Sequence, residues 1–101
     1  MEIERLRYKY PNRIPLIIYQ TPNFIKSYRL KKNKYLVTTE MTVGAFIYQL
    51  KKINDINTTD AMYLMIHNTL INSSSTFGLL YTKFEQEGVL KLTVNSESAF
   101  G

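Results

Sequence analysis

Thr42-Val43-Gly44-Ala45-Phe46-Ile47-Tyr48-Gln49-Leu50-Lys51-Lys52-Ile53 is the stretch on which the reading of this chain turns. Thr42 is a good N-cap, because its hydroxyl can accept from an orphan N–H of the first helical turn. Val43, Phe46, Ile47, Leu50 and Ile53 then recur at i, i+3, i+4, i+7 and i+10, which predicts an amphipathic helix with one apolar face. What lies on either side of that helix decides what the face packs against.

Upstream, Ile14-Pro15-Leu16-Ile17-Ile18-Tyr19-Gln20 is β-branched and apolar on both faces, the mark of a strand, with Pro15 at a strand start or an edge. Residues 21–34 read as a polar, basic connection, and Tyr35-Leu36-Val37-Thr38 as a second short strand. Downstream, Ala61-Met62-Tyr63-Leu64-Met65-Ile66-His67 is an apolar run of strand length, expected in the middle of the sheet, and Leu70-Ile71 a short edge piece. Phe77, Leu80, Tyr81 and Phe84 form a second helical stripe capped by Ser75 or Thr76. Gly88 breaks the chain, and Leu90, Leu92 and Val94 alternate with Lys91, Thr93 and Asn95 as a strand with one buried face. Residues 2–9 allow at most about two turns of helix before Tyr10-Pro11 ends it, since proline disfavours helical geometry in its predecessor. The order β-β-α-β-β-α-β, with a last strand that can slot between earlier ones, is the layout of an α+β, ubiquitin-like β-grasp. A mixed sheet of four to five strands is expected, with one long and one short helix. Residues 1–9 are expected to form a short N-terminal helical segment and residues 10–101 a single ubiquitin-like domain.

Composition sets the outer bounds. At 101 residues, 45% hydrophobic and 21% charged, the chain is stock for one globular domain. It has no cysteine, which removes disulfides, thiol nucleophiles and thiolate metal sites together. No run approaches the roughly 20 apolar residues of a membrane span, and the charged start Met1-Glu2-Ile3-Glu4-Arg5 is no signal peptide, so a cytoplasmic protein is expected. The net charge of +5 is unevenly spread: Arg5, Arg7, Lys9, Arg13, Lys26, Arg29, Lys31, Lys32 and Lys34 supply nine of the thirteen cations. A basic face of that kind attracts anions such as acidic peptides, phosphate backbones or lipid headgroups.

The inventory for catalysis is thin. His67 is the single histidine and ends an apolar strand, where a hydrogen-bonded structural imidazole is expected. Without cysteine, a zinc site would need His67 plus carboxylates, and none has the right spacing. Glu85 and Glu87 read as a solvated pair in a turn, and the glycines are isolated, so no phosphate-cradling loop exists. No catalytic residue, no metal and no cofactor is expected, and the chain reads as a protein that is not an enzyme. The tyrosines beside the basic stretch lack the Lys/Arg-Gly-aromatic pattern of a single-strand RNA-binding sheet, which leaves nucleic acid outside the expected partners.

Lys9-Tyr10-Pro11-Asn12-Arg13-Ile14-Pro15, Lys34-Tyr35-Leu36-Val37, Met41-Thr42-Val43-Gly44-Ala45-Phe46, Gly78-Leu79-Leu80-Tyr81 and the closing Ser96-Glu97-Ser98-Ala99-Phe100-Gly101 follow one another in order. In these strings the chain resembles the autophagy ubiquitin-like modifiers of the GABARAP and microtubule-associated light-chain type, over nearly its whole length. The resemblance implies conjugation: Gly101, guided by Phe100, would be adenylated by an E1-like enzyme, passed as a thioester to an E2-like one and amide-linked to phosphatidylethanolamine. A terminal glycine suits this because, with no Cβ, its carboxylate is the least hindered a chain can present. A deconjugating cysteine protease is a further implied partner. The expected location is the cytoplasm, and an autophagosomal or other vesicle membrane once lipidated.

The resemblance also implies capture of partners or cargo receptors carrying an aromatic residue and, three positions later, a branched aliphatic one. The peptide would add as a strand to an edge formed by residues 34–37. Pocket one would be lined by Leu6, Pro15, Lys34, Leu36 and Val89, and pocket two by Tyr35, Val37, Met41, Phe46 and Leu50. Arg13, Lys32 and Lys34 would meet acidic residues flanking the motif. Three departures bear on this. Nine residues precede Tyr10 where the family carries two helices, the aromatic expected near Val89 is missing, and Thr38 and Gln49 replace a proline and an apolar residue at pocket two. They imply shallower pockets and an altered or weaker motif preference. A modifier joined to a protein lysine, and an unconjugated ubiquitin-like interaction domain, are the alternative readings, and the protein is expected to be a monomer in solution.

Overall fold

In the computed structural model, residues 12–96 are described, and all statements of contact and burial concern these. Five strands and three helices follow in order: β1 (Arg13–Gln20), α1 (Pro22–Ile25), β2 (Lys34–Thr38), α2 (Val43–Ile53), β3 (Met62–Ile66), β4 (Thr69–Leu70), α3 (Phe77–Phe84) and β5 (Leu90–Ser96). The strands make one mixed sheet in the order β2-β1-β5-β3-β4, with β1 and β5 parallel and the other pairs antiparallel. This is the ubiquitin-like layout that the element order implied. The helix expected within residues 2–9 lies outside the described residues.

Strand alternation divides the sheet into two faces. Ile14, Leu16 and Ile18 of β1, Val37 of β2, Leu64 and Ile66 of β3, and Leu90, Leu92 and Val94 of β5 are all buried in one cluster with Val43, Phe46 and Leu50 of α2 and Phe77 and Leu80 of α3. The opposite face carries Pro15 and Ile17 beside Leu36 and Lys34, and Ile17 beside Lys91. Pro15 is the third residue of β1, and the β1–β5 ladder begins only at Leu16↔Leu90, so its missing N–H falls before that ladder, near the strand start.

Four expectations are corrected. The 21–34 stretch is not merely a connection: Thr21 caps a one-turn helix with Pro22 at its first position, and that turn drives Phe24 to complete burial. β5, not β3, is the central strand, because it takes β1 on one side and β3 on the other, leaving β3 flanked by the two-residue β4. Ile53 is 53% exposed, and Ile56 takes its place in the core. The cause is a Schellman-type end on α2: Asp55 stands at φ 57, and the Ile56 N–H donates back to the Lys51 carbonyl at 2.8 Å. His67, finally, is an exposed turn residue, not a hydrogen-bonded interior imidazole. It and Asn68 have φ of 52 and 63, the signature of a two-residue type I′ hairpin between β3 and β4, and its ring meets Phe84 edge-on. Phe84 itself lies at the rim, 36% exposed.

The two longer helices start side by side and cap one another. Thr42 accepts from Ala45 N–H and Thr76 from Leu79 N–H, each satisfying one donor of its own helix. The donors left over cross to the other helix's entry: Val43 and Gly44 N–H reach the carbonyls of Ser75 and Ser73 at 2.9 and 2.8 Å. Phe77 and Gly78 N–H reach those of Met41 and Thr39 at 3.0 and 2.9 Å. Backbone approaches this close leave little room for a Cβ, which at Gly78 would stand 3.0 Å from the Thr39 oxygen and at Gly44 3.2 Å from that of Ser73. Thr42-Val43-Gly44 and Thr76-Phe77-Gly78 are thus one local motif used twice. Asn57 and Asn72, each at the head of an Asn-x-Ser/Thr triplet, accept from the backbone N–H and hydroxyl two residues on (Thr59 and Ser74), which makes both triplets Asx turns.

Candidate functional site

β2 has β1 on one side and no strand on the other among the described residues, so it is an edge of five residues. An edge presents a row of N–H and C=O groups that another extended chain can pair with. Its two sides differ. Tyr35 and Val37 lie over the helices, while Lys34 and Leu36 lie on the opposite face.

On that opposite face, Pro15 pairs with Leu36, and Val89 is brought beside Pro15 because Leu90 is in register with Leu16. Pro15 and Val89 are buried and Leu36 is half-buried. Lys34, two residues along the same face, is exposed. These four residues of pocket one are therefore assembled by strand pairing, although they span three separate parts of the sequence. Leu6, the fifth, lies outside the described residues, as do Phe100 and Gly101.

The residues expected to line pocket two sit on the core itself. The Tyr35 ring meets Phe46 edge-on at 5.5 Å, and Phe46 meets Phe77 in the same way at 5.4 Å. Val37, Phe46 and Leu50 are buried, so they can act only as a floor, and Tyr35 and Met41, both half-buried, form the reachable rim. Met41 is held by its carbonyl accepting from Phe77 N–H, which fixes the exit of β2 to the start of α3. The Tyr35 hydroxyl donates to the Lys32 carbonyl at 2.9 Å. Burial pushes the Tyr35 phenol above its ordinary pKa, opposed by hydrogen bonds with the Asn54 side chain and the Lys32 backbone. Asn54 also accepts from Lys31 N–H at 2.7 Å and so ties the end of α2 to the entry of β2.

The cations do not form one patch. Lys32 and Lys34 are exposed at the entry of β2, whereas Arg13 pairs with Thr38 at its exit, four residues from Lys34 along the strand. At about 3.4 Å per residue that is roughly 13 Å, so an incoming strand would meet a positive charge at each end. Sequence reasoning missed the cross-capped helix starts and the Asn54 tie, which hold both ends of the edge. The repeated Thr-x-Gly was the available signal for the first.

A family profile described as "Autophagy protein Atg8 ubiquitin like" matches residues 1–101. The chain belongs to the Atg8 family. Among relatives of this Atg8-family protein, Autophagy-related protein 8h of Arabidopsis thaliana is 40% identical over 94 residues, covering 92% of this chain and 78% of that one. Autophagy-related protein 8 of Dictyostelium discoideum is 34% identical over 100 residues, covering 97% and 81%. The crystal structure of Trypanosoma brucei ATG8 superposes with a TM-score of 0.86 at 27% identity, covering 99% of this chain and 86% of that one. The chain is thus an autophagy protein of ubiquitin-like fold.

Proposed function

We propose that this Atg8-family chain is a modifier and not a catalyst, conjugated through Gly101 to phosphatidylethanolamine and carrying partners to that membrane on the β2 edge. The observation that carries the second half is the arrangement of β2: a five-residue strand paired with β1 on one side and with no strand on the other among the described residues, with Leu36, Pro15 and Val89 on one face and the Tyr35–Phe46 pair on the other. An extended peptide with an aromatic residue and an aliphatic one three positions on would lay its backbone along β2 and its two anchors into the two apolar sites. Lys32 and Lys34 at one end, and Arg13 at the other, suit acidic residues flanking such a motif.

For conjugation, the Gly101 carboxylate attacks the α-phosphate of ATP and displaces pyrophosphate. An E1-like thiol then displaces AMP to give a thioester, which passes to an E2-like thiol. The lipid amine attacks the thioester carbonyl, forming the amide and releasing the thiol. Support comes from the family membership and from β5, whose carboxyl end leads into Glu97-Ser98-Ala99-Phe100-Gly101. A diacyl anchor is a stable membrane tether where a single acyl chain is marginal, so one covalent step would move the domain from cytoplasm to vesicle surface.

The test is incubation with E1-like and E2-like enzymes, ATP and phosphatidylethanolamine liposomes, followed by mass analysis of the C-terminal peptide. A lipid adduct on Gly101, lost in Gly101→Ala, is the expected result. An adduct on a protein lysine, or none at all, would replace this reading with one of the two alternatives, an isopeptide-linked modifier or an unconjugated interaction domain.

A further inference from the structure

The turn between β3 and β4, the segment that follows α3, and the outward face of β1 and β5 enclose a notch of about 270 Å³ that opens to solvent. Its polar lining is Tyr19, His67, Asn68, Gln86, Lys91 and Thr93. Strand register assembles it. Tyr19 pairs with Thr93 and Thr93 with Met65, and the same register carried two residues further brings His67 level with Lys91. The Phe84 ring, also in the lining, meets the His67 imidazole edge-on at 6.0 Å and backs it.

The polar groups of this notch are uncommitted. None of the six makes a side-chain hydrogen bond or ion pair with another described residue. Every other asparagine from Asn23 to Asn95 uses its side chain in a hydrogen bond within the chain, and Asn68 does not. No carboxylate lines the notch, and Glu85, next to Gln86, turns its Oε2 to the Gly88 N–H at 2.8 Å. Lys91 is thus a cation without a countercharge, beside an imidazole that can donate through its ring nitrogens. The turn itself is an unfavourable way to close a hairpin. Type I′ positions prefer asparagine and glycine, and His67 stands at φ 52 with a full side chain. A ligand-binding imidazole accounts for that placement, and hairpin closure alone does not.

We propose that this notch binds a phosphomonoester carried on a small hydroxylated body, the chemistry shared by a sugar phosphate and an inositol-lipid headgroup. A phosphomonoester brings about −1.5 to −2 of charge and three strong acceptor oxygens. Lys91 meets the charge, and the His67 imidazole and the Tyr19 and Thr93 hydroxyls supply donors to the oxygens. The Asn68 and Gln86 amides each offer both donors and an acceptor, which is what the hydroxyls of the body need. Size sets the upper bound. The notch falls just below the roughly 300–1,000 Å³ of sites for drug-sized ligands, room for one ring and its phosphate. The site shares no residue with the two apolar sites at β2 and does not depend on conjugation.

The test is an amide-resolved NMR titration of the full chain with glucose 6-phosphate, inorganic phosphate and glucose. Flotation with phosphatidylcholine vesicles, with and without phosphatidylinositol 4-phosphate, runs beside it. Saturable shifts confined to His67, Asn68, Gln86, Lys91 and Thr93 are expected with glucose 6-phosphate, about fivefold weaker with inorganic phosphate and absent with glucose. Lys91→Gln is expected to weaken glucose 6-phosphate about tenfold at an unchanged thermal midpoint. His67→Asn, whose side chain tolerates the left-handed turn, should weaken it about threefold. Lys52→Gln, the same change of charge on α2, is expected to change nothing. Flotation that requires the phosphorylated lipid and is lost in Lys91→Gln would uphold the site and assign its ligand to a headgroup. Binding of the soluble ester without flotation would uphold it and assign the ligand to a free sugar phosphate. Shifts spread alike over the exposed lysines, equal losses in Lys52→Gln and Lys91→Gln, or no saturable shift with either soluble phosphate would overturn the proposal.

Discussion

The sheet has two edges, and they are built to opposite ends. β2 offers five residues, is braced below by Tyr35 on Phe46 on Phe77, and is fastened at both ends, by Asn54 to the connection before it and by Gly78 and Phe77 to the carbonyls after it. β4 offers two residues, both exposed, between the His67-Asn68 turn and the Asx turn at Asn72. Beside it lies a notch of about 140 Å³ lined by Ile66, Leu70, Ile71, Leu80 and Phe84. Shortness is one of the ways in which a protein blunts an edge against unwanted pairing. The contrast teaches that an exposed apolar side chain does not make a docking strand. Leu70 is 62% exposed and lies on an edge too short to register a peptide, while half-buried Leu36 lies on one long enough to do so.

The largest expected effect comes from removing the brace. Phe46→Ala takes out the ring between Tyr35 and Phe77 and should cost about 3–5 kcal/mol in urea unfolding. If peptide affinity survived that change, the β2 edge would not depend on its floor and the comparison would lose its basis. Gly78→Ala is next. Its Cβ would press on the Thr39 carbonyl at 3.0 Å, and the expected loss is about 1–3 kcal/mol, with faster amide exchange at Thr38 and Thr39 but not at Thr69. Thr42→Ala should cost about 1 kcal/mol as a lost helix cap. Because Thr42 bridges to Thr76, the double alanine variant should depart from the sum of the singles, and strict additivity would mean that the two helix starts do not support one another.

The smallest effect is on pH. Tyr35 has its pKa raised in the fold, so the folded state holds the phenol proton where the unfolded chain has released it. The stability tied to that proton is complete below the ordinary tyrosine value near 10, and is lost as pH rises above it towards the folded value. Tyr35→Phe should flatten the alkaline end of the stability curve, and an unchanged slope would remove Tyr35 from the account.

Much of this was legible before the structure. The alternation at Leu90, Leu92 and Val94 and the stripe at Val43, Phe46 and Leu50 name their buried faces directly, because period and burial are both local. The departures have local causes that the pattern conceals. Phe24 is buried by one capped turn within a basic stretch, Asp55 takes a left-handed end usually given to glycine and so sends Ile56 inward in place of Ile53, and His67 occupies a type I′ turn with no glycine. The candidate site was the least legible part. Pro15, Leu36 and Val89 meet only through strand pairing between distant segments, so no spacing announces them, and it was the family resemblance that supplied the set. The separation of Arg13 from Lys32 and Lys34 likewise follows from register alone.

The most direct measurement is an amide-resolved NMR titration with a peptide carrying acidic residues, an aromatic residue and, three positions on, an aliphatic one. The account predicts saturable shifts at Lys34–Thr38 and at Val89, about tenfold weaker binding in Leu36→Ala at unchanged stability, and no effect of Leu70→Ala. Shifts centred on Thr69–Leu70, or undiminished affinity in Leu36→Ala, would contradict it.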